Sequence, residues 1–200
     1  MLPVPTKGVY LLVVDGYADW EPAHAVAELR RHGGYRVEVV GLTEGPVQSM
    51  GGVTVLPSKR LADIDVRDVA IFIVPGGDRW QEAPIEAELA DLLNTLDAQD
   101  VPIAAICAAT VAIARVGLLR GRCHTSNSLD YLRKYAPDYS ESAHYIDAPA
   151  VRDRKLITAS GLANVEFARE MFEELEVLPV ASRAMWAEVF RSGKAPTRDA

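Results

Sequence analysis

Cys107 sits in Ala105-Ile106-Cys107-Ala108-Ala109, where an apolar run delivers a thiol to a stretch of small residues. A nucleophile elbow needs this arrangement, because bulky neighbours would block the sharp turn that presents the side chain. The helix expected to follow aims its positive N-terminal end at the sulfur and favours thiolate over thiol. The competing reading is a buried cysteine that packs as a small apolar residue. Cys123 is the second of only two cysteines, too few for a disulfide scaffold and suited to a reducing cytoplasm.

Other residues could serve that thiol. In Asp15-Gly16-Tyr17-Ala18-Asp19-Trp20-Glu21-Pro22, Pro22 suits the first position of a helix, which makes Glu21 the cap residue. A carboxyl there could face the thiol and share a proton with it, or could cap the helix in solvent. Pro75-Gly76-Gly77-Asp78 lets backbone approach a ligand, so the N–H groups of Gly77 and Ala108 could form an oxyanion hole above Cys107. Gly-Gly is also ordinary turn chemistry, and no G-x-G-x-x-G or G-K-[ST] motif accompanies it. His124, in Gly121-Arg122-Cys123-His124-Thr125-Ser126-Asn127, could act as base or proton shuttle. His24 lies three residues past Glu21, at the same mouth or on a helix surface; His32 and His144 read as structural. There is no H-E-x-x-H or C-x-x-C, and Cys123 beside His124 is an awkward pair for a tetrahedral ion, so no metal or cofactor is expected.

These residues need a scaffold, and the hydrophobic pattern supplies one. Runs at 9–14, 69–74 and 101–106 are nearly unbroken and rich in branched residues, as strands buried on both faces of a parallel sheet are. The run at 35–42 alternates more and suits a strand near an edge. Segments 22–32, 84–96, 162–175 and 180–190 carry apolar residues at helical spacing. Two stretches, 47–56 and 145–159, look like hairpins added to the parallel core. Alternation of this kind predicts a three-layer α/β/α sandwich with a flavodoxin-like, mostly parallel sheet, whose ligands sit at the carboxyl ends of the strands. Tyr17, Trp20, Arg79 and Trp80 are expected near that cleft.

Two hundred residues, 49% hydrophobic and 24% charged, suit one domain, expected over 1–190 with a polar tail at 191–200. The net charge of -7 argues against nucleic acid or an anionic membrane as partner, since either needs clustered Lys and Arg. The longest apolar run, 101–114, is too short to span a bilayer, and no signal peptide is expected. A small molecule is the expected partner.

The order and spacing of DGYADWEPA, P-G-G-D, AAICAATVAIARVGLL and G-R-C-H-T-S-N resemble the ThiJ/PfpI superfamily, the DJ-one group with a class I glutamine-amidotransferase-like fold. The resemblance runs from Val9 to Leu175. It implies Cys107 as nucleophile, Glu21 as an acidic partner whose protonated carboxyl bonds the thiolate, Gly77 and Ala108 as oxyanion donors, and a homodimer. Many relatives place a histidine after the elbow helix; aligned on Gly117-Leu118-Leu119 that position falls on Asn127, with His124 three residues early. Which of the two faces Cys107 stays open. Cys107 is followed by Ala108 where protease-type members have histidine, and no H-x-E segment follows Tyr145, so peptidase and glutamine amidotransferase activities are not expected. The expected function is cysteine-dependent chemistry on a small carbonyl or amide-type substrate, hydrolase, hydratase or glyoxalase-like, with Cys107 assisted by Glu21 and His124. The alternative is a stress-response protein whose Cys107 senses oxidation without turnover.

Overall fold

Three apolar runs form the centre of the sheet. The structure, a computed structural model, describes residues 5–82 and 84–195. β1 (Gly8–Val13) and β6 (Val69–Val74) lie side by side with every residue buried, and β7 (Ile103–Ile106) continues the sheet equally buried. Each fully buried Val, Ile or Leu there contributes about 1.5–3 kcal/mol of hydrophobic stabilisation. β7 begins at Ile103 because Pro102 has no N–H for the ladder; the Pro102 carbonyl instead accepts from the Phe72 N–H at 2.9 Å.

β2 (Val37–Gly41) flanks β1 and leads to a two-residue edge strand, β5 (Lys59–Arg60). On the other side β9 (Leu156–Ala159) pairs parallel with β7, and β8 (Ala150–Asp153) closes the sheet as its antiparallel strand. The order is β5-β2-β1-β6-β7-β9-β8. The stretch 145–159 is therefore a hairpin, but one whose second strand belongs to the parallel run. Its four buried residues, Leu-Ile-Thr-Ala, explain that place. The turn uses Arg154 and Lys155 at φ of 44° and 67°, the left-handed pair that matches strand twist in a two-residue hairpin. A separate hairpin, β3 (Val47–Gln48) with β4 (Thr54–Val55), packs over the loop after β1.

Helices fill both faces. α1 (Ala23–Arg31), α6 (Asn164–Glu174) and α7 (Val180–Ser192) pack together, and α2 (Arg79–Glu82), α3 (Ala87–Ala98), α4 (Ala109–Val116) and α5 (Leu129–Tyr135) form the other layer. α3 starts three residues later than its apolar spacing predicts, because Glu86 before it is extended. α7 runs to Ser192, past the boundary expected at 190; residues 196–200 of the expected tail lie outside the described residues. Among the described residues no helix is long and apolar enough to cross a membrane. The strand sequence reverses direction at β1, so the crevice for ligands falls at the carboxyl ends of β1, β6 and β7.

Candidate active site

Cys107 follows β7 directly and holds a left-handed backbone, φ 59°. A residue with a side chain stays there only where its surroundings hold it. The Cys107 N–H donates to the Ala159 carbonyl at 2.9 Å, and the Cys107 carbonyl accepts from the Thr110 hydroxyl at 2.6 Å. That hydroxyl also meets Ser126 Oγ at 2.7 Å, and Thr110 is fully buried. α4 starts two residues beyond the cysteine.

Glu21 arrives from the loop after β1. It is not the cap of α1: Pro22 takes that place in a helical conformation with no side-chain cap bond, and α1 starts at Ala23. The Glu21 carboxyl turns inward instead, 1% exposed, where Oε2 accepts the Gly76 N–H at 2.6 Å and the carboxyl lies beside the Cys107 side chain against Gly76 and Gly161. The loops are clasped by the Ala18 N–H on the Gly76 carbonyl at 3.0 Å. Trp80, expected at the cleft, is a core residue; its Nε1 donates to the Pro75 carbonyl at 2.9 Å and so fixes the Pro-Gly-Gly turn. Arg79 is ion-paired with Glu86, Tyr17 is buried, and Trp20 is exposed.

Two glycines wall the pair. A Cβ on Gly76 would fall 2.7 Å from Glu21 Oε2 and 2.8 Å from Cys107 Cβ, and one on Gly161 would fall 2.7 Å from Cys107 Sγ. Only a missing side chain lets thiol and carboxyl sit between them. Gly161 carries no signal in its own sequence; it becomes visible once β9 is placed in the parallel run, which sets Ser160-Gly161 at the same carboxyl edge. Gly77, where a Cβ would meet the Gly16 carbonyl oxygen at 2.9 Å, bridges to Tyr17 beside Gly76, and Ala108 follows the cysteine directly, ahead of α4.

Asn127 faces the sulfur. Its Nδ2 donates to Cys107 Sγ at 3.3 Å and its Oδ1 accepts the Gly161 N–H at 2.9 Å. His124 is engaged elsewhere: fully buried, it meets the Arg122 carbonyl with Nδ1 at 2.7 Å and the Tyr139 hydroxyl with Nε2 at 2.6 Å. Its backbone is paired with His144 and Ile146, which fixes that orientation. Burial pushes its imidazole below the ordinary histidine range. His24 stacks edge-on against Trp186 and Phe190, His32 pairs with Glu28, and His144 pairs with Glu141. Cys123 is exposed.

The electrostatics follow from burial. Loss of water pushes the Glu21 carboxyl up to about 7, against the Gly76 N–H and the Cys107 thiol, which pull it down. Burial first, and then the Glu21 charge, push the Cys107 thiol up to about 11, against donation from Asn127 and Ala108. Between those values the two groups hold one proton and one negative charge between them. Gly76 favours that charge on the carboxylate; Asn127 and Ala108 favour it on sulfur. Asn127 also lines an open depression of about 420 Å³ with Ser126, Asp147, Ser160, Leu162 and Glu166 among its walls.

A doubly wound sheet with a strained cysteine elbow and a buried carboxyl beneath it defines a class of α/β proteins. The sequence profile of the DJ-1/PfpI family matches residues 7–174, and the chain belongs to that family. It is 34% identical to the uncharacterized protease YoaZ of Bacillus subtilis, over 94% of this chain and 93% of that protein. It is 32% identical to protein dj-1beta of Drosophila melanogaster, over 85% of this chain and 90% of the other. A thiJ/pfpI family protein of Bacillus anthracis superposes with a TM-score of 0.86 at 31% identity, covering 96% of this chain and 94% of that one.

Proposed function

We propose that the chain is a cysteine-dependent enzyme acting on a small carbonyl or amide-type substrate, with Cys107 as nucleophile and Glu21 as its proton partner. The observation that carries this reading is the placement of the buried Glu21 carboxyl beside the Cys107 side chain of a left-handed elbow, both packed against Gly76 and Gly161. In the proposed step the sulfur electron pair forms a bond to the substrate carbonyl carbon, and the thiol proton passes to Glu21. The carbonyl π pair moves onto oxygen, received by the N–H groups of Gly77 and Ala108; Glu21 then returns the proton to that oxygen. An amide cannot take a proton, and His124 is engaged with Arg122 and Tyr139, so activation of water falls to Glu21 alone. That favours addition to a reactive carbonyl over hydrolysis of an amide. A relative named deglycase TK1284, of Thermococcus kodakarensis, supports the same direction at 25% identity over 59% of this chain and 70% of that protein.

The reading takes residues 1–190 as one domain with a tail at 191–200, a homodimer as the family resemblance implies, and a cytoplasmic setting that suits two free cysteines. Mass spectrometry after limiting treatment with a small electrophile tests it: the adduct is expected on Cys107. Labelling of Cys123 with Cys107 inert removes the proposal.

One observation favours a second reading, an oxidation sensor. With His124 engaged elsewhere, the sulfur is left with Glu21 beside it and the Asn127 amide as donor, an arrangement that can hold an oxidised sulfur without turnover. Peroxide titration tests it, and a Cys107 oxidised no faster than the exposed Cys123 counts against it.

A further inference from the structure

Cys107 and Asn127 meet at the sulfur, and two hydroxyls join them a second time. The Cys107 carbonyl accepts the Thr110 N–H at 3.2 Å and the Thr110 hydroxyl at 2.6 Å. Thr110 Oγ1 in turn lies 2.7 Å from Ser126 Oγ. A hydroxyl has one hydrogen and a carbonyl oxygen can only accept, so Thr110 gives its hydrogen to Cys107 and Ser126 is the donor to Thr110. The chain therefore runs one way, from Ser126 through Thr110 to the Cys107 carbonyl. Thr110 is fully buried and Ser126 is 2% exposed, so a broken bond here is not replaced by one to bulk water.

Ser126 precedes Asn127, and Thr125 fixes the segment they share. The Thr125 N–H donates to Thr158 Oγ1 on β9 at 2.9 Å, and the Thr125 hydroxyl donates to the Ala148 carbonyl at 2.8 Å. A threonine whose hydroxyl returns to a carbonyl three residues back is common in a first helical turn. Here the second partner comes from sixteen residues away. It belongs to the segment that delivers Asn127 Nδ2 to Cys107 Sγ at 3.3 Å.

We infer that Thr110 and Ser126 are positioning residues for Cys107: their hydroxyl chain ties the elbow to the 124–127 segment and holds the sulfur and the Asn127 amide in register. This rests on the reading of Cys107 as the reactive thiol. Neither hydroxyl touches substrate or moves a proton in this role. Cutting the chain leaves buried polar atoms short of a partner and lets the elbow and the segment separate. The sulfur then loses part of the amide donation that favours its charged form.

The test is the rate of Cys107 alkylation by iodoacetamide, measured from about pH 6 to about pH 10 in variants whose circular dichroism matches the wild type. Thr110→Val keeps the shape and removes the hydroxyl, Thr110→Ser keeps the hydroxyl, and Ser126→Ala cuts the chain at its other end. Thr110→Val and Ser126→Ala are each expected to lower the rate near neutral pH roughly threefold to tenfold, and Thr110→Ser to stay within about twofold of the wild type. Either of the two cuts suffices, so a failure of one to fold leaves the other to decide. With Asn127→Ala already in place, each cut is expected to change the rate by less than about twofold, because the chain acts through the amide. General loosening of the fold would instead multiply the losses. Cut variants whose profiles overlay or exceed the wild type overturn the inference, as do losses that multiply with that of Asn127→Ala or a Thr110→Ser as slow as Thr110→Val. A wild-type Cys107 that does not alkylate at all overturns the underlying reading, a result distinct from these.

Discussion

The Glu21 carboxyl and the Cys107 thiol lie side by side between two glycine walls, and burial holds the carboxyl up to about 7. A carboxyl whose folded value is raised keeps its proton in the folded chain after the unfolded chain has released it. Stability from Glu21 is therefore fully present below its ordinary 4.5 and is lost as pH rises through 7. The loss is on the order of 3 kcal/mol across that window. Glu21→Gln can keep the acceptor for Gly76 and has no proton to lose. Its stability relative to the wild type is expected to rise from about pH 4.5 to about pH 7 and then level off, read from urea midpoints at several pH values.

Gly161→Ala tests the wall beside the sulfur. The added Cβ would lie 2.7 Å from Cys107 Sγ and 2.9 Å from its Cβ, so the elbow or the Ser160-Gly161 turn has to move. Overpacking of this kind costs about 1–3 kcal/mol. The expected result is a lower melting temperature together with slower alkylation of Cys107. An alanine variant with wild-type stability and reactivity would show that the wall yields freely.

His124 is expected to matter for the fold and not for the thiol. His124→Leu leaves the Tyr139 hydroxyl and the Arg122 carbonyl without their partner, at a cost of about 1–3 kcal/mol. The alkylation profile of Cys107 is expected to stay within about twofold of the wild type at neutral pH. Burial holds the imidazole below the ordinary histidine range, so the unfolded chain binds its proton first as pH falls. The penalty of His124→Leu should thus shrink below about pH 6.5, which paired denaturation curves would show.

Much of this architecture is legible in the sequence because burial writes it directly. Strands covered on both faces, such as 69–74, must be apolar throughout, and a strained elbow must have small neighbours such as Ala108 and Ala109. What the sequence hides is direction. Pro22 marks the start of α1 to within a residue, yet whether Glu21 points out to solvent or in to sulfur depends on Gly76, fifty-five residues away. His124 and Asn127 are both polar and close in sequence; the pairing of the His124 backbone with His144 and Ile146 decides which reaches the thiol. Gly161 was hidden for a related reason, since its meaning depends on β9 joining the parallel strands and not on any local pattern. The α5 helix, short and mixed in composition, gives no periodic signal.

The pH dependence of Cys107 alkylation in the wild type and in Glu21→Gln tests the pairing of these two groups most directly. One shared proton predicts a wild-type rate that rises through about 7, levels off, and rises again only toward about 11. Glu21→Gln is expected to lose the step near 7 and to rise once, at higher pH, with a slower rate at neutrality. A wild-type profile with a single rise, or a Glu21→Gln profile that keeps the step near 7, would contradict the assignment of Glu21 as the proton partner of Cys107.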